Sequence, residues 1–437
     1  MTEQDYVKAP EKAVIDFDHH SEAFADGWRE ITADLRKRCP VAWTESNEGY
    51  WAVTGYEEVR AAALDDATFS SDNDLNSERG GGKGVALPQS PFRQIPIEVD
   101  PPMFNAYRSL LNPKFSPAAA EAWRPFLQQV TNALIDEVCE TGELDVVDNI
   151  ASPVPAMVTM RLLGLPLQNW ERVATPFHQI SQAACGSDLY NVAVEGLLKV
   201  LTELGEELAK RRDHPREDLL TFLATATIEP EGEKARSLTD EECIQICFLQ
   251  LIGGVDTTTG LLSQTFGWLS DHPEEIEPLL NDAAYLKTAT EEFLRWVSPA
   301  PALARTVTTE THLGDQTLRP GDRVLLCWAS ANQDETAFDG PEELKLDRWP
   351  NRHQAFGLGV HRCLGSNIAR VVFQEVLTIT LRRLPNFKVD LSRAQRYPSL
   401  GQVNGYNILP ATFTPTSRLG SNLPKEGPPP SLKKRRT

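Results

Sequence analysis

The chain is expected to fold as a mainly α-helical domain with a smaller β region, an α+β architecture, and three observations carry that expectation. Helical spacing of apolar residues dominates from about residue 116 to residue 271. The longest such pattern opens on a capping box, Thr239-Asp240-Glu241-Glu242, and reaches Asp271-His272-Pro273. It runs for around 30 residues, or ~48 Å, enough to cross a whole domain. Strand-like runs are short and gathered late, at 304–308, 312–313, 324–328 and 387–389.

The elements follow in order. The first 30 or so residues are mixed in composition and are expected to wrap the surface. Residues 43–53 and then Tyr56-Glu57-Glu58-Val59-Arg60 read as strand, turn and helix. Ser71 to Val99 is rich in Gly, Ser, Asn and Pro and includes Gly80-Gly81-Gly82, so it reads as a long loop. Loops of that length inside a domain are functional or mobile. Ser116-Pro117 opens a helix expected to reach about Glu140, with Gly142 ending it. Further helices extend to about residue 226, and 228–236 is a polar loop before the long helix. Arg319-Pro320-Gly321-Asp322 is a turn signal. These elements form one domain over 1–415. From Thr416 the chain turns Pro/Gly/Ser-rich and ends Lys433-Lys434-Arg435-Arg436, which reads as a solvated, disordered tail over 416–437.

Bulk properties narrow the function. A hydrophobic share of 41% and a charged share of 24% allow a large core. A net charge of −19, with no basic stripe before the tail, argues against a nucleic-acid partner. The longest apolar run, Ile246 to Val255, is about half of the roughly 20 residues a membrane span needs, and residues 1–8 lack a signal-peptide apolar stretch. A cytoplasmic protein without a membrane anchor is the expectation. The seven cysteines form no Cys-x-x-Cys pair. Cys243 and Cys247, one helical turn apart, have no histidine nearby and read as core packing.

Cys363 carries the chemistry. It sits in Phe356-Gly357-Leu358-Gly359-Val360-His361-Arg362-Cys363-Leu364-Gly365, before a helical pattern at Leu364, Ile368, Val371, Val372, Val376 and Ile379. A thiol at a helix N-terminus is stabilised as thiolate by the dipole and free amides, and a thiolate is a good soft ligand for iron. The alternative is a buried core cysteine. In the long helix, Gly253-Gly254-Val255-Asp256-Thr257-Thr258 invites a kink. The bland reading there is a core helix whose hydroxyl bonds its own backbone. Glu292-Phe293-Leu294-Arg295 places a carboxylate and a guanidinium on one helical face, either exposed or buried.

The spacing Phe-x-x-Gly-x-x-x-Cys-x-Gly resembles the haem-binding loop of the cytochrome P-450 superfamily. The Gly-Gly-x-Asp-Thr segment, the Glu-x-x-Arg pair, the meander from Ala331 to Trp349 and Asp100-Pro101-Pro102 resemble further segments of that family, in its order. The resemblance covers roughly residues 40 to 415 and is to the soluble bacterial type. It implies the cytochrome P-450 fold, with a long central helix over a buried haem b, and a single monomeric unit.

It also implies roles. Cys363 would be the axial iron ligand and favour O–O cleavage, with Phe356 shielding the sulfur. Arg108, Arg305 and His361 would meet the haem propionates. Many relatives carry a histidine four residues before the equivalent of Arg108, and here that position is Phe104. Thr257 would hydrogen-bond dioxygen and Asp256 would relay protons. Ile252, Gly253 and Ala302 would face a hydrophobic substrate, with steroids, terpenoids and fatty acids all qualifying. The 71–99 loop would be a lid, where Arg79 or Arg93 could meet a fatty-acid carboxylate. No flavin or iron–sulfur motif is present, so electrons would come from a ferredoxin or flavodoxin with its reductase, docking near Arg352, Arg362 and Arg370. The rivals are a peroxide-driven peroxygenase and a non-catalytic haem-based ligand-binding protein.

Overall fold

The computed structural model describes residues 12–74, 82–184 and 186–432. Helix α1 (Glu22–Arg38), capped by Ser21, leads into strands β1 (Val41–Thr44) and β2 (Tyr50–Val53), then α2 (Tyr56–Leu64) and β3 (Phe69–Ser70). The run 43–53 is therefore not one strand but part of a hairpin, with Val41 opposite Val53. Asn47, Glu48 and Gly49 all adopt positive φ and turn the chain there, chemistry that Asn and Gly tolerate well.

The helical body follows. After α3 (Met103–Leu111), Ser116 caps α4 (Pro117–Glu121), and α5 (Arg124–Val138) continues it. The single helix expected over this stretch is broken because Pro125 has no N–H to give and so starts a new first turn. Strand β4 (Glu143–Asp145), a π-helical turn (Val147–Ala151) and helices α6 (Pro153–Leu163), α7 (Trp170–Gln182), α8 (Asp188–Asp213) and α9 (Leu219–Thr225) come next. The polar 228–236 segment is bracketed by a two-stranded hairpin, β5 (Thr227–Ile228) and β6 (Arg236–Ser237).

The long helix forms where its capping box sits, with both reciprocal bonds between Thr239 and Glu242 present. It is two helices, α10 (Asp240–Gly254) and α11 (Asp256–Asp271), meeting at Val255 with ψ −74°. By length and composition the run Asp240–Asp271 could span a membrane, but 67% of its apolar window lies inside the protein, and it is the central core helix. Helix α13 (Ala283–Val297) packs beside it, and α12 (Ile276–Asn281) packs against α13.

The late strands β7 (Leu303–Val307), β8 (Thr311–Leu313), β9 (Gln316–Leu318) and β10 (Arg323–Leu326) precede α14 (Trp328–Ala331) and α15 (Ser366–Arg383). Strands β11 (Lys388–Val389), β12 (Gln395–Arg396), β13 (Tyr406–Ile408) and β14 (Pro410–Thr412) close the chain. The main sheet has the order β1-β2-β10-β7-β3, with β2 and β10 parallel and the other pairs antiparallel. It is a small sheet beside a large helical body, as an α+β chain requires. One apolar cluster joins α5, α6, α10, α11, α13 and α15, and two smaller ones lie on the sheet.

The expected disordered tail is ordered as far as Leu432. It lies along the helical body because buried polar groups bind its backbone. Asp136 accepts from the amides of Leu419 and Ser421 at 2.9 and 2.7 Å, and Arg161 donates to the carbonyls of Gly427 and Lys425 at 2.7 and 2.6 Å. The basic cluster at 433–436 lies outside the described residues.

Candidate active site

The cysteine loop is shaped by glycine. Gly357 and Gly359 have φ of +65° and +67°, and a side chain at Gly359 would place its Cβ 2.5 Å from the Ala63 carbonyl. The loop so formed folds back, and the Cys363 amide donates to the Phe356 carbonyl at 2.8 Å. Helix α15 starts three residues after Cys363, with Gly365 as its cap. The thiol is surrounded by protein except where it opens into a large internal cavity, so its exposure is to that cavity. Burial pushes its pKa up, while the Gly365 amide and the charges of Arg108, Arg362 and Arg370 act the other way. The helix terminus therefore does not by itself make a thiolate here; a coordinated metal ion does so outright.

The cavity is about 370 Å3, and most of the anticipated residues meet there. Cys363, Phe356, Arg108, Arg305 and His361 lie on its wall. So do Ile252, Gly253, Thr257 and Ala302. The pairing of β10 with β7 sets Arg305 opposite Val324, and the period-two alternation puts Leu303 and Arg305 together on the cavity side. Val85 to Leu87, Phe92, Gln94 and Ile97 of the long loop line the cavity too, and Phe92 meets Phe248 of α10 at 5.3 Å between centroids. The loop is pinned by Glu98, which accepts from the amides of Val85 and Gln94 and from Asn73, and by Arg323, which donates to the carbonyls of Gly84 and Ala86.

The basic side chains on this wall are poorly satisfied. His361 is buried with neither ring nitrogen hydrogen-bonded. Burial, then repulsion from Arg305 and Arg108, lowers its pKa to about 3. Arg305 is 3% exposed, donates to the neighbouring Ala304 carbonyl, and is lowered by burial to about 10. Arg108 donates to Asn112 and to the Arg362 carbonyl. Among the described residues neither arginine forms an ion pair. A buried guanidinium without an ion pair and a buried imidazole without a hydrogen bond are costly around an open space unless a ligand meets them. A planar group with two carboxylates meets that need, and the Cys363 thiol on the same wall would supply the metal ligand. The residues present fit a haem. Phe104 supplies no polar contact and packs edge-on against His361 at 4.5 Å.

The bend at Val255 separates two neighbours. The Thr257 hydroxyl donates to the Gly253 carbonyl at 2.9 Å, so its oxygen lone pairs remain for the cavity. Gly253 presents bare backbone there, while a Cβ at Gly254 would meet Thr159 at 2.7 Å. Asp256 does not face the cavity. It is 1% exposed, and its Oδ1 lies 3.1 Å from Nδ1 of His178 on α7. Tyr397 Oη approaches the same nitrogen at 3.1 Å. No sequence signal pointed to His178 or Tyr397, which lie 78 and 141 residues from Asp256.

Glu292 and Arg295 form a fully buried pair at 2.8 Å, as the resemblance implied. Arg93 is bound to Asp72 at 2.7 Å and is not on the cavity wall, and Arg79 lies outside the described residues. Arg370 is paired with Glu291 at 2.6 Å, whereas Arg352 and Arg362 are exposed. Cys243 and Cys247 are buried in the core, and the described residues hold no cluster of metal-ligating side chains elsewhere.

Comparison with known proteins agrees with this geometry. The family profile described as Cytochrome P450 matches residues 184–405. The chain is 32% identical over 407 residues to a steroid C26-monooxygenase of Mycolicibacterium smegmatis, covering 90% of this chain and 95% of that one. A Mycobacterium marinum cytochrome P450 solved with pseudoionone superposes with a TM-score of 0.82 at 28% identity, covering 93% of this chain and all (100%) of that one. A Bacillus megaterium cytochrome P450 solved with testosterone gives 0.77 at 29% identity, covering 90% and 99%. With the thiol, the unsatisfied cations and the bent helix brought to one cavity, the chain belongs to the cytochrome P450 family: it is a monooxygenase that uses haem b and dioxygen.

Proposed function

We propose that the protein hydroxylates a C–H bond of an uncharged hydrophobic molecule of steroid or terpenoid type. The observation that carries this reading is the distribution of charge on the cavity wall. Its arginines, Arg108 and Arg305, both stand beside His361, where the haem propionates would bind them. The rest of the wall is largely apolar, with Phe92, Phe248, Ile252 and Ala302 among its residues. Among the described residues a fatty-acid carboxylate would find no further arginine on the wall, because Arg93 is held by Asp72 outside the cavity. The printed activity and ligands of the relatives, a steroid C26-monooxygenase and structures with testosterone and pseudoionone, point the same way.

In this reading Cys363 would hold the haem iron and Phe356, on the same wall, would shield the sulfur. The haem supplies the site at which dioxygen is activated. Thr257 offers its hydroxyl oxygen to that site from the bend in the helix, and Asp256 supplies protons to Thr257. Electrons come from a ferredoxin or flavodoxin with its reductase. Arg352 and Arg362 are the exposed cations near the cysteine loop that would meet such an acidic partner, with Arg370 already neutralised by Glu291.

The test is an absorption titration of the haem-loaded protein with testosterone, linalool and palmitic acid. A Soret shift with either of the first two, and none with palmitate, is the expected result. A shift with palmitate alone would overturn the substrate assignment.

A further inference from the structure

We propose that His178 feeds protons to Asp256, so that the proton supply enters along the contact between α7 and α11 and not through the substrate cavity. The proposal rests on the reading in which Asp256 serves Thr257, and it adds the residue that serves Asp256.

Three observations carry it. Asp256 is 1% exposed and absent from the cavity wall, so it needs an intermediary to exchange protons with water. The His178 side chain is 22% exposed and touches Asp256 through Nδ1 at 3.1 Å, which makes it a bridge between the carboxylate and the surface. Asp256 Oδ2 is buried without a hydrogen-bond partner, leaving one oxygen uncommitted while the other holds the ring.

The step is a simple transfer. The imidazolium Nδ1–H bond breaks as a proton passes to Oδ1 of Asp256. The ring is left neutral with its proton on Nε2 and the carboxyl protonated; once the carboxyl has passed its proton on, hydronium from solvent recharges Nδ1 and is left as water. No electron moves. The imidazole is suited to this because its charge changes near neutral pH.

Three groups face His178. Asp256 comes from α11, Asp148 from the π-helical turn, and Tyr397 from the loop after β12. Glu171, at the start of α7, acts on Asp148. Burial opposes the charge on His178, but the hydrogen bond and charge of Asp256, with Asp148, outweigh it and raise its pKa above the ordinary 6.5. His178 therefore holds its charge to higher pH than a free imidazole does, and the supply fades as pH rises through that raised value.

Two measurements test this. The first follows the His178 imidazole by NMR in ring-labelled, haem-loaded protein, assigned with His178→Gln. In Asp256→Asn the resonance is expected to titrate at lower pH than in the wild type. The second measures product formed per electron consumed across pH 6 to 9. His178→Gln should lower it by about tenfold or more at neutral pH and remove its alkaline decline, with a larger solvent isotope effect. An unchanged titration in Asp256→Asn, or an unchanged pH profile in His178→Gln, would overturn the proposal. If the wild type turns over no substrate, the functional reading fails, and the NMR comparison still decides whether the two side chains are coupled.

Discussion

Two buried polar clusters in this protein differ in a way that separates support from binding. Around Glu292, each carboxylate oxygen is satisfied: Oε1 by Arg295, Arg348 and the Lys345 amide, Oε2 by Arg295, Arg348 and Asn351. Arg295 spends its remaining donors on the carbonyls of Asn332, Pro341 and Glu343. Around the cavity, His361 has no partner and Arg305 has one neighbouring carbonyl. Both clusters are buried, but only the second is left incomplete by the chain itself. A closed network holds a fold together, whereas an open one waits for a ligand.

The comparison breaks first at Glu292. Glu292→Ala leaves Arg295 and Arg348 as buried or nearly buried charges without their carboxylate, and should cost about 3–5 kcal/mol in denaturant unfolding. A loss below 1 kcal/mol would mean that the closed cluster is not structural. Next comes Arg305→Leu. Removing an unpaired buried cation should leave the haem-free protein as stable as before or more so. In the proposed arrangement the same change would remove a charge-assisted bond to the haem of about 1.5–3 kcal/mol, or roughly 10- to 100-fold in haem affinity. Haem-transfer rates and haem-free melting measured together check this, and parallel losses in both would erase the distinction. The smallest effect is Gly253→Ala. The added Cβ meets only Leu249, at 4.0 Å, so the helix should gain up to about 1 kcal/mol. The methyl faces the cavity, so the Soret response to bulky substrates should weaken while haem content stays constant.

What was legible in the sequence follows from how each feature is encoded. Local signals were read correctly where one residue dictates one bond. Thr239 and Glu242 form their capping box, Ser116 caps its helix, and the fixed residues around Cys363 build the loop their spacing implied. Boundaries failed where a single residue interrupts a period. Pro125 splits one expected helix, Val255 splits another, and the Asn47-Glu48-Gly49 turn makes a hairpin of one expected strand. In the site, the residues on the cavity wall came from motifs. His178 and Tyr397 did not, because their link to Asp256 exists only in the tertiary fold and leaves no period to detect. The direction of Asp256 was equally hidden. Adjacent helical positions point about 100° apart, so Thr257 on the cavity sends Asp256 elsewhere.

The strap over 416–432 has a consequence for how the molecule is made. Asp136 and Arg161 sit in helices completed long before the strap leaves the ribosome, at about 5–20 residues per second. Until then α5 and α6 carry ionised groups that lack part of their final set of partners. Closure of the helical body is thereby tied to synthesis of the strap, and a chain cut short before residue 419 would leave these two helices without those partners.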